Sequence, residues 1–335
     1  FGSNVTLTID GAIQSAAEKE LARVVAEQKA VGGCLVALAC QDGPDYRRGA
    51  VLAMAVVPTF DPNESAPDFT RRNRAVTDVI EPGSVIKTIL TAILLENDLM
   101  APEMDEIIDC QGGRAIINGK LVRDTADHVF GRIPFREVYK FSSNVGCVTA
   151  AQRIAIQDYR DWLRRFGFGQ KTGIDFPGEA AGVVSVQRPS DRDRAAIGYS
   201  VSATALQIAA AYAAIGNDGL TVQPHLVREI RDVHNREVLR FAPPPGRRLI
   251  EAVTAKRIWD LMEGVVLEGT GTKAAVPGYR IGGKTGTAQK YDPSTGGYSK
   301  SYFSSFACLA PIDRPRIAIY CYIDDPKKDK YGGAV

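Results

Sequence analysis

Apolar runs of strand length stand near both ends of this chain, with helical periodicity between them. Residues 34–39 and 50–57 flank a polar turn containing Gly43-Pro44 and Gly49, and residues 302–309 and 316–323 flank Pro311-Ile-Asp-Arg-Pro315. Each pair reads as a β-hairpin, because Gly and Pro between β-prone runs favour tight reversal. A further strand is predicted over 279–289, before the second hairpin, and others over 5–9, 221–230 and 237–241. Helices are predicted over 11–30, 145–156, 158–166, 203–215 and 254–267, and 102–215 is expected to be mainly helical. Strands at the two ends must meet to bury their apolar faces. The predicted fold is therefore α/β, with a central antiparallel sheet built from N- and C-terminal pieces, flanked by helices, and a mainly helical subdomain. The boundaries fall at about 1–82 with 220–335 for the α/β part and 83–219 for the helical part.

Composition excludes several functions. Lys+Arg 41 against Asp+Glu 39 leaves a formal charge of +2, and basic pairs such as Arg47-Arg48 and Arg164-Arg165 are interspersed with acids, so no nucleic-acid partner is expected. The longest apolar stretches, 31–40 and 203–215, fall short of a membrane span. Six cysteines are scattered without a C-x-x-C pair and read as buried free thiols, while His128, His225 and His234 are isolated. No metal site and no cofactor are expected. The chain begins at Phe1 rather than a methionine, which suggests a piece of a longer protein.

Three stretches carry chemistry. In Pro82-Gly83-Ser84-Val85-Ile86-Lys87, a serine and a lysine three residues apart open an apolar run, so one helical face could present a hydroxyl beside an amine, a nucleophile beside a base. The helix start adds unpaired N–H groups and a positive dipole end; alternatively the serine is only a cap. Ser142, Ser143 and Asn144 lie at an interhelical corner and read either as a capping turn or as a hydroxyl and an amide offered to a cleft. Lys284-Thr285-Gly286-Thr287 lies on a predicted strand, where small residues let an extended ligand pair with the strand edge while the lysine and hydroxyls hold a carboxylate. Residues 278–285 also match G-x-x-x-x-G-K-[ST], but Gly286, Thr287 and Pro293 follow where a phosphate loop needs a helix. Lys171-Thr172-Gly173 sits in a turn-rich loop.

Taken together, Ser84-x-x-Lys87, Ser142-x-Asn144 and Lys284-Thr285-Gly286-Thr287 stand in the order of the signature motifs of penicillin-binding transpeptidases, and the chain resembles the class B, division-type branch over nearly its whole length. Phe60-Asp61-Pro62-Asn63, the segment from Phe166 to Asp175, Gly269-Thr270-Gly271-Thr272 and the terminal Tyr331-Gly332-Gly333-Ala334-Val335 extend the likeness. Ser200 and Ala205 stand where the family pattern has glycine and proline. The resemblance implies a serine β-lactamase-like fold and a D,D-transpeptidase acting on peptidoglycan stem peptides that end in D-Ala-D-Ala, acylated by β-lactam antibiotics. It implies Ser84 as nucleophile and Lys87 as its base, with a pKa lowered by burial and by Lys284. Ser142 would relay the proton, and Asn144 would orient Lys87 and the substrate. Thr285, Gly286 and Thr287 would bind substrate, and the backbone N–H groups of Ser84 and Thr287 would form the oxyanion hole. It further implies a membrane anchor and pedestal domain outside this chain, membrane proteins of the division complex as partners, and a place on the extracytoplasmic face of the bacterial membrane. A non-catalytic penicillin sensor, a serine β-lactamase and, remotely, a phosphate-loop nucleoside triphosphatase are the alternatives.

Overall fold

A computed structural model describes residues 2–125, 129–292 and 294–333; Phe1, His128, Pro293 and Ala334-Val335, named above, lie outside the described residues. Its centre is a five-stranded sheet of β1 (Gly32–Ala39), β2 (Val51–Val57), β3 (Gly282–Asp292), β4 (Gly297–Ala310) and β5 (Ile317–Asp324), in the order β3-β4-β5-β1-β2. Every neighbouring pair is antiparallel, with Lys284 opposite Ala307 and Ile319 opposite Ala37. Both expected hairpins are present, and β5 joins β1 between them, so the ends of the sequence do meet in one sheet.

Helix α1 (Gly11–Glu27) starts at Asp10, whose carboxylate accepts from the N–H groups of Ala12 and Ile13, satisfying two orphan donors of the first turn. Its apolar stripe of Ala17, Leu21 and Val25 packs against small residues of β1 and β2 (Ala37, Ala53, Ala55). Small residues on the sheet let the helix sit close. The opposite face carries the larger core. Helix α2 (Lys87–Glu96) is buried from Lys87 to Leu95, so apolar residues occur on every side rather than in a stripe, and the buried Lys87, Thr88 and Thr91 are each hydrogen-bonded. Helix α3 (Asn144–Ala151) lies beside it, α4 (Ala205–Gly216) lies against β5 and β1, and α5 (Ala252–Leu267) lies against β3. Trp259 Nε1 donates to the Ile215 carbonyl at 3.0 Å and ties α5 to the end of α4.

Two parts of the expected architecture differ. The strand near the N-terminus (Asn4–Leu7) does not enter the central sheet; it pairs with Val227–Arg231, which pairs with Glu237–Arg240, in a separate three-stranded sheet. Residues 102–215 are also less helical than expected, because three two-stranded ladders interrupt them: 107–109 with 132–134, 114–117 with 120–123, and 183–184 with 201–202. The middle ladder turns through Asn118 (φ 47°) and Gly119 (φ 72°), the left-handed pair that favours a two-residue hairpin. All six cysteines are free thiols, five of them buried. Among the described residues no helix is long and apolar enough to cross a membrane, and no cluster of potential metal ligands is present.

Candidate active site

Where the helical region meets the edge strand β3, a cavity of about 330 Å³ is lined by Ser84, Ser142, Asn144, Thr285, Gly286 and Thr287. All three sequence motifs therefore border one space. Ser84 sits within a 3-10 turn (Gly83–Ile86) that runs into α2, and its side chain caps nothing. The turn is pressed against β3: a Cβ on Gly83 (φ 58°) would lie 3.0 Å from the Thr287 carbonyl oxygen, and one on Gly198 would meet the Gly83 carbonyl oxygen at 2.1 Å. Only glycine permits that approach.

A chain of hydroxyls holds the turn from behind. Tyr212 OH donates to the Val85 carbonyl at 2.7 Å, so Thr88 Oγ1 must donate to Tyr212 (2.7 Å) and Tyr139 OH to Thr88 (2.9 Å). All three side chains are buried, and burial without partners would be costly.

Lys87, the first residue of α2, is 0% exposed. Its Nζ donates to the Ser142 carbonyl oxygen at 2.7 Å, to Ser142 Oγ at 3.1 Å and to Asn144 Oδ1 at 2.8 Å. Those acceptors match the three donors of an ammonium, and no bond from Lys87 to Ser84 Oγ occurs among the described residues. The expected meeting of Ser84 and Lys87 is thus replaced in this state by a junction between Lys87 and the second motif. Ser142 reaches Lys87 with both oxygens because its backbone is left-handed (φ 59°) at the corner before α3.

Burial lowers the Lys87 pKa, against nearby Asp124 and Cys147, which raise it. Lys284 is fully buried on β3, with Nζ donating to the Thr285 carbonyl oxygen at 3.2 Å and lying 5.9 Å from the Tyr139 ring centre. Burial first, and then the Lys87 charge, holds Lys284 well below the usual lysine range. Desolvation is thus the leading cause at both lysines, and the repulsion between the two buried charges acts in the same direction.

The hydroxyls of the third motif have partners. Thr285 Oγ1 is 2.7 Å from Thr270 Oγ1, and Thr287 Oγ1 accepts from the Gly332 N–H at 3.0 Å. An accepting hydroxyl keeps its proton for a ligand, so Thr287 can still donate to a carboxylate. Lys284 and Thr285 lie within β3, with no helix opening after them, so the phosphate-loop context is absent.

Asp124 escaped the sequence reading. Its carboxylate accepts from Ser143 Oγ (2.8 Å) and from the N–H groups of Asn144 (2.5 Å) and Val145 (2.9 Å), capping α3. Asn144 Nδ2 donates to the Arg123 carbonyl at 2.8 Å, which leaves Oδ1 turned to Lys87. The segment 123–124 thus fixes the second motif. Glu81 does the same for the turn bearing Ser84: its Oε1 accepts from Ser200 N–H (3.1 Å) and Tyr298 OH (3.0 Å), and burial raises its pKa. Ser200 adopts φ 60°, a conformation that suits the glycine expected there from the resemblance, and Ala205 is the first residue of α4 after the cap Thr204, a position that also accepts the expected proline.

This arrangement agrees with comparisons to known proteins. Residues 44–335 match the model of the penicillin-binding protein transpeptidase domain. The chain is 34% identical to stage V sporulation protein D of Bacillus subtilis over 100% of its own length and 52% of the relative's. It is 35% identical to peptidoglycan D,D-transpeptidase FtsI of Escherichia coli over 99% and 54%. It thus spans about half the length of the curated relatives it matches. Among solved structures, penicillin-binding protein 3 of Mycobacterium tuberculosis in complex with aztreonam superposes with a TM-score of 0.88 at 33% identity, covering 98% of this chain and 75% of that one. The transpeptidase domain of Burkholderia pseudomallei penicillin-binding protein 3 superposes at 0.82 and 30% identity, covering 98% and 90%. With the three motifs gathered around one cavity and a match running from residue 44 to the end, the chain belongs to the penicillin-binding protein transpeptidase domain family.

Proposed function

We propose that this domain is a serine D,D-transpeptidase that cross-links peptidoglycan stem peptides ending in D-Ala-D-Ala and is acylated by β-lactams. The observation that carries the reading is the buried Lys87 junction: an amine lowered by desolvation, beside the Ser84 turn, held by Ser142 and Asn144. A serine hydroxyl needs such a base at neutral pH.

In this reading Ser84 Oγ attacks the carbonyl of the penultimate D-Ala and gives its proton to neutral Lys87. Of the three Lys87 partners, the Ser142 carbonyl and Asn144 Oδ1 can only accept. Ser142 Oγ alone can also donate, and so it is the group able to carry the proton onward to the leaving amine. Thr285 and Thr287 hold the terminal carboxylate, with Lys284 and Gly286 completing that side of the cleft. The oxyanion sits between the backbone N–H groups of Ser84 and Thr287, an arrangement in which one donor contributes about 3 kcal/mol in related chemistry. D-Ala leaves, and an amine of a neighbouring stem takes the acyl group from Ser84. The α/β part (about 1–82 and 220–335) and the helical part (about 83–219) supply opposite walls. The whole protein, in the same reading, works from a membrane anchor on the extracytoplasmic face with partners of the division complex.

Intact-protein mass after incubation with penicillin tests the assignment. One stable adduct mapped to Ser84, lost in Ser84→Ala, is expected. Labelling of Ser84→Ala at the wild-type rate would falsify it, and rapid turnover of a chromogenic β-lactam would favour a β-lactamase instead.

A further inference from the structure

The turn-rich loop at Lys171-Thr172-Gly173 borders a second cavity, of about 210 Å³, that shares no lining residue with the one at Ser84. It lies between the loop that follows the helix Ile156–Arg165, one face of α4 and the stiff connector carrying Pro244 and Pro245. Its walls are fixed from two sides. Gln207 on α4 is 1% exposed and donates Nε2 to the carbonyls of Gln170 at 2.6 Å and Ala181 at 2.8 Å. Opposite, Gln223 Nε2 donates to the Thr172 carbonyl at 2.8 Å, while Thr221 donates its N–H to the Arg247 carbonyl at 2.9 Å and accepts the Arg247 N–H on Oγ1 at 2.8 Å. A cavity held this way needs little reordering to receive a ligand.

The charge inside is one-sided. Arg165, Lys171 and Arg247 line the cavity, and among the described residues no Asp or Glu does. The Arg165 guanidinium stacks 3.7 Å from the Trp162 ring centre and donates Nη2 to the Leu249 carbonyl at 3.3 Å; Arg247 Nη2 donates to the Arg165 carbonyl at 3.0 Å. These acceptors are carbonyl oxygens, and among the described residues none of the three cations is paired with a carboxylate. Glu179, the acid bonded to the cavity wall, is already occupied by the Thr172 N–H and Oγ1 and by the Gly173 N–H. The end of the helix at Arg165 offers only about half a negative charge. Three full positive charges outweigh both, and their mutual repulsion is relieved when an anion enters. Two guanidinium forks and an ammonium, supplied by separate segments, suit the several oxygens of a phosphate better than the two of a carboxylate, which one arginine can satisfy alone.

We propose that this second cavity is a binding site for a phosphate group, taken either as free phosphate or as part of a phosphate ester. Calorimetric titration of the chain with inorganic phosphate, against chloride at constant ionic strength, is expected to give a Kd of about 1 mM or tighter. Lys171→Gln and Arg247→Gln should each weaken binding at least about threefold, and Arg165→Gln about tenfold, since each removes a charged partner. Arg165→Gln also loses the stack on Trp162, so the double variant of the exposed Lys171 and Arg247 judges the idea if Arg165→Gln fails to fold by circular dichroism. Glycerol phosphate, and sedimentation with phosphatidylglycerol or phosphatidylcholine vesicles, separate the sources. Glycerol phosphate bound without retention on vesicles assigns a soluble ester. Retention on phosphatidylglycerol vesicles alone, lost in the double variant, assigns a lipid headgroup, and phosphate bound with neither assigns the free ion. No binding up to about 10 mM phosphate, succinate bound as tightly as phosphate, or an unchanged Kd in the double variant overturns the proposal.

Discussion

Asp124 makes a sharp test of how the site is held, because its two substitutions should separate structure from charge. In Asp124→Ala the N–H groups of Asn144 and Val145 lose the acceptor that caps α3, a loss of about 1 kcal/mol for a helix cap. The fully buried Ser143 hydroxyl loses its acceptor as well, about another 1 kcal/mol, although it still accepts from the Gly146 N–H. The sum, about 2 kcal/mol, corresponds to a fall in Tm of roughly 3 °C for a chain of this size. Freed from its cap, Asn144 would no longer hold Oδ1 on Lys87, and acylation by a fluorescent penicillin should slow by about tenfold or more, as expected when a group that positions the base is displaced. Asp124→Asn keeps an oxygen for the two N–H groups and should lose less than about 1 kcal/mol. It removes the negative charge that raises the Lys87 pKa. Lys87 would then lose its proton more readily, and the acid limb of the acylation rate would move to lower pH. Thermal melts followed by circular dichroism, with acylation rates measured from pH 5 to 9, read both effects. An Asp124→Ala protein with the Tm and rate profile of the wild type would refute the reasoning.

Two further outcomes follow from burial and backbone geometry. Lys284→Met replaces a buried amine, held well below the usual lysine range, by an apolar chain of similar length. Below an unfolded lysine's pKa of about 10.4 the unfolded wild type binds more protons than the folded protein, so stability rises with pH from the lowered folded value up to about 10.4 and then levels. Lys284→Met should flatten part of that rise; denaturant midpoints at neutral and high pH that shift equally in both proteins would contradict it. Gly198→Ala places a Cβ 2.1 Å from the Gly83 carbonyl at φ 90°, and should cost more than about 2 kcal/mol while displacing the Ser84 turn. Unchanged penicillin acylation and stability in that variant would show that the contact does not position Ser84.

Much of the site was legible because its chemistry is written in short, ordered motifs. Ser84, Lys87, Ser142, Asn144 and Lys284 to Thr287 each gave an ambiguous local signal, and their order removed the ambiguity. The two hairpins of the central sheet were legible for another reason: β-branched runs with Gly or Pro between them encode pairing locally. Asp124 was not legible, since a single acid twenty residues before Asn144 says nothing until the chain folds back between them. The turn that folds it back, Asn118-Gly119, is a local signal, and reading it would have placed the 114–123 hairpin and corrected the helical bias of that region. The partners of Lys87 were hidden too, because they depend on the left-handed backbone of Ser142, a conformation that no sequence period announces. The separate sheet holding Asn4–Leu7 reflects a choice between two equally β-prone partners, which tertiary packing decides.

The pairing of β5 with β1 also bears on the order in which the protein can fold. Ile319 and Ala37 face each other although about 280 residues separate them, and closing so large a loop is entropically slow. In chain order the Ser84 turn comes long before β3, the wall it leans on, and the central sheet is incomplete until β5 pairs with β1. A chain ending before residue 282 holds Ser84, Lys87 and the second motif but no cleft to put them in. Under the proposed function, reactivity toward penicillin should therefore arrive abruptly, at the last step of folding.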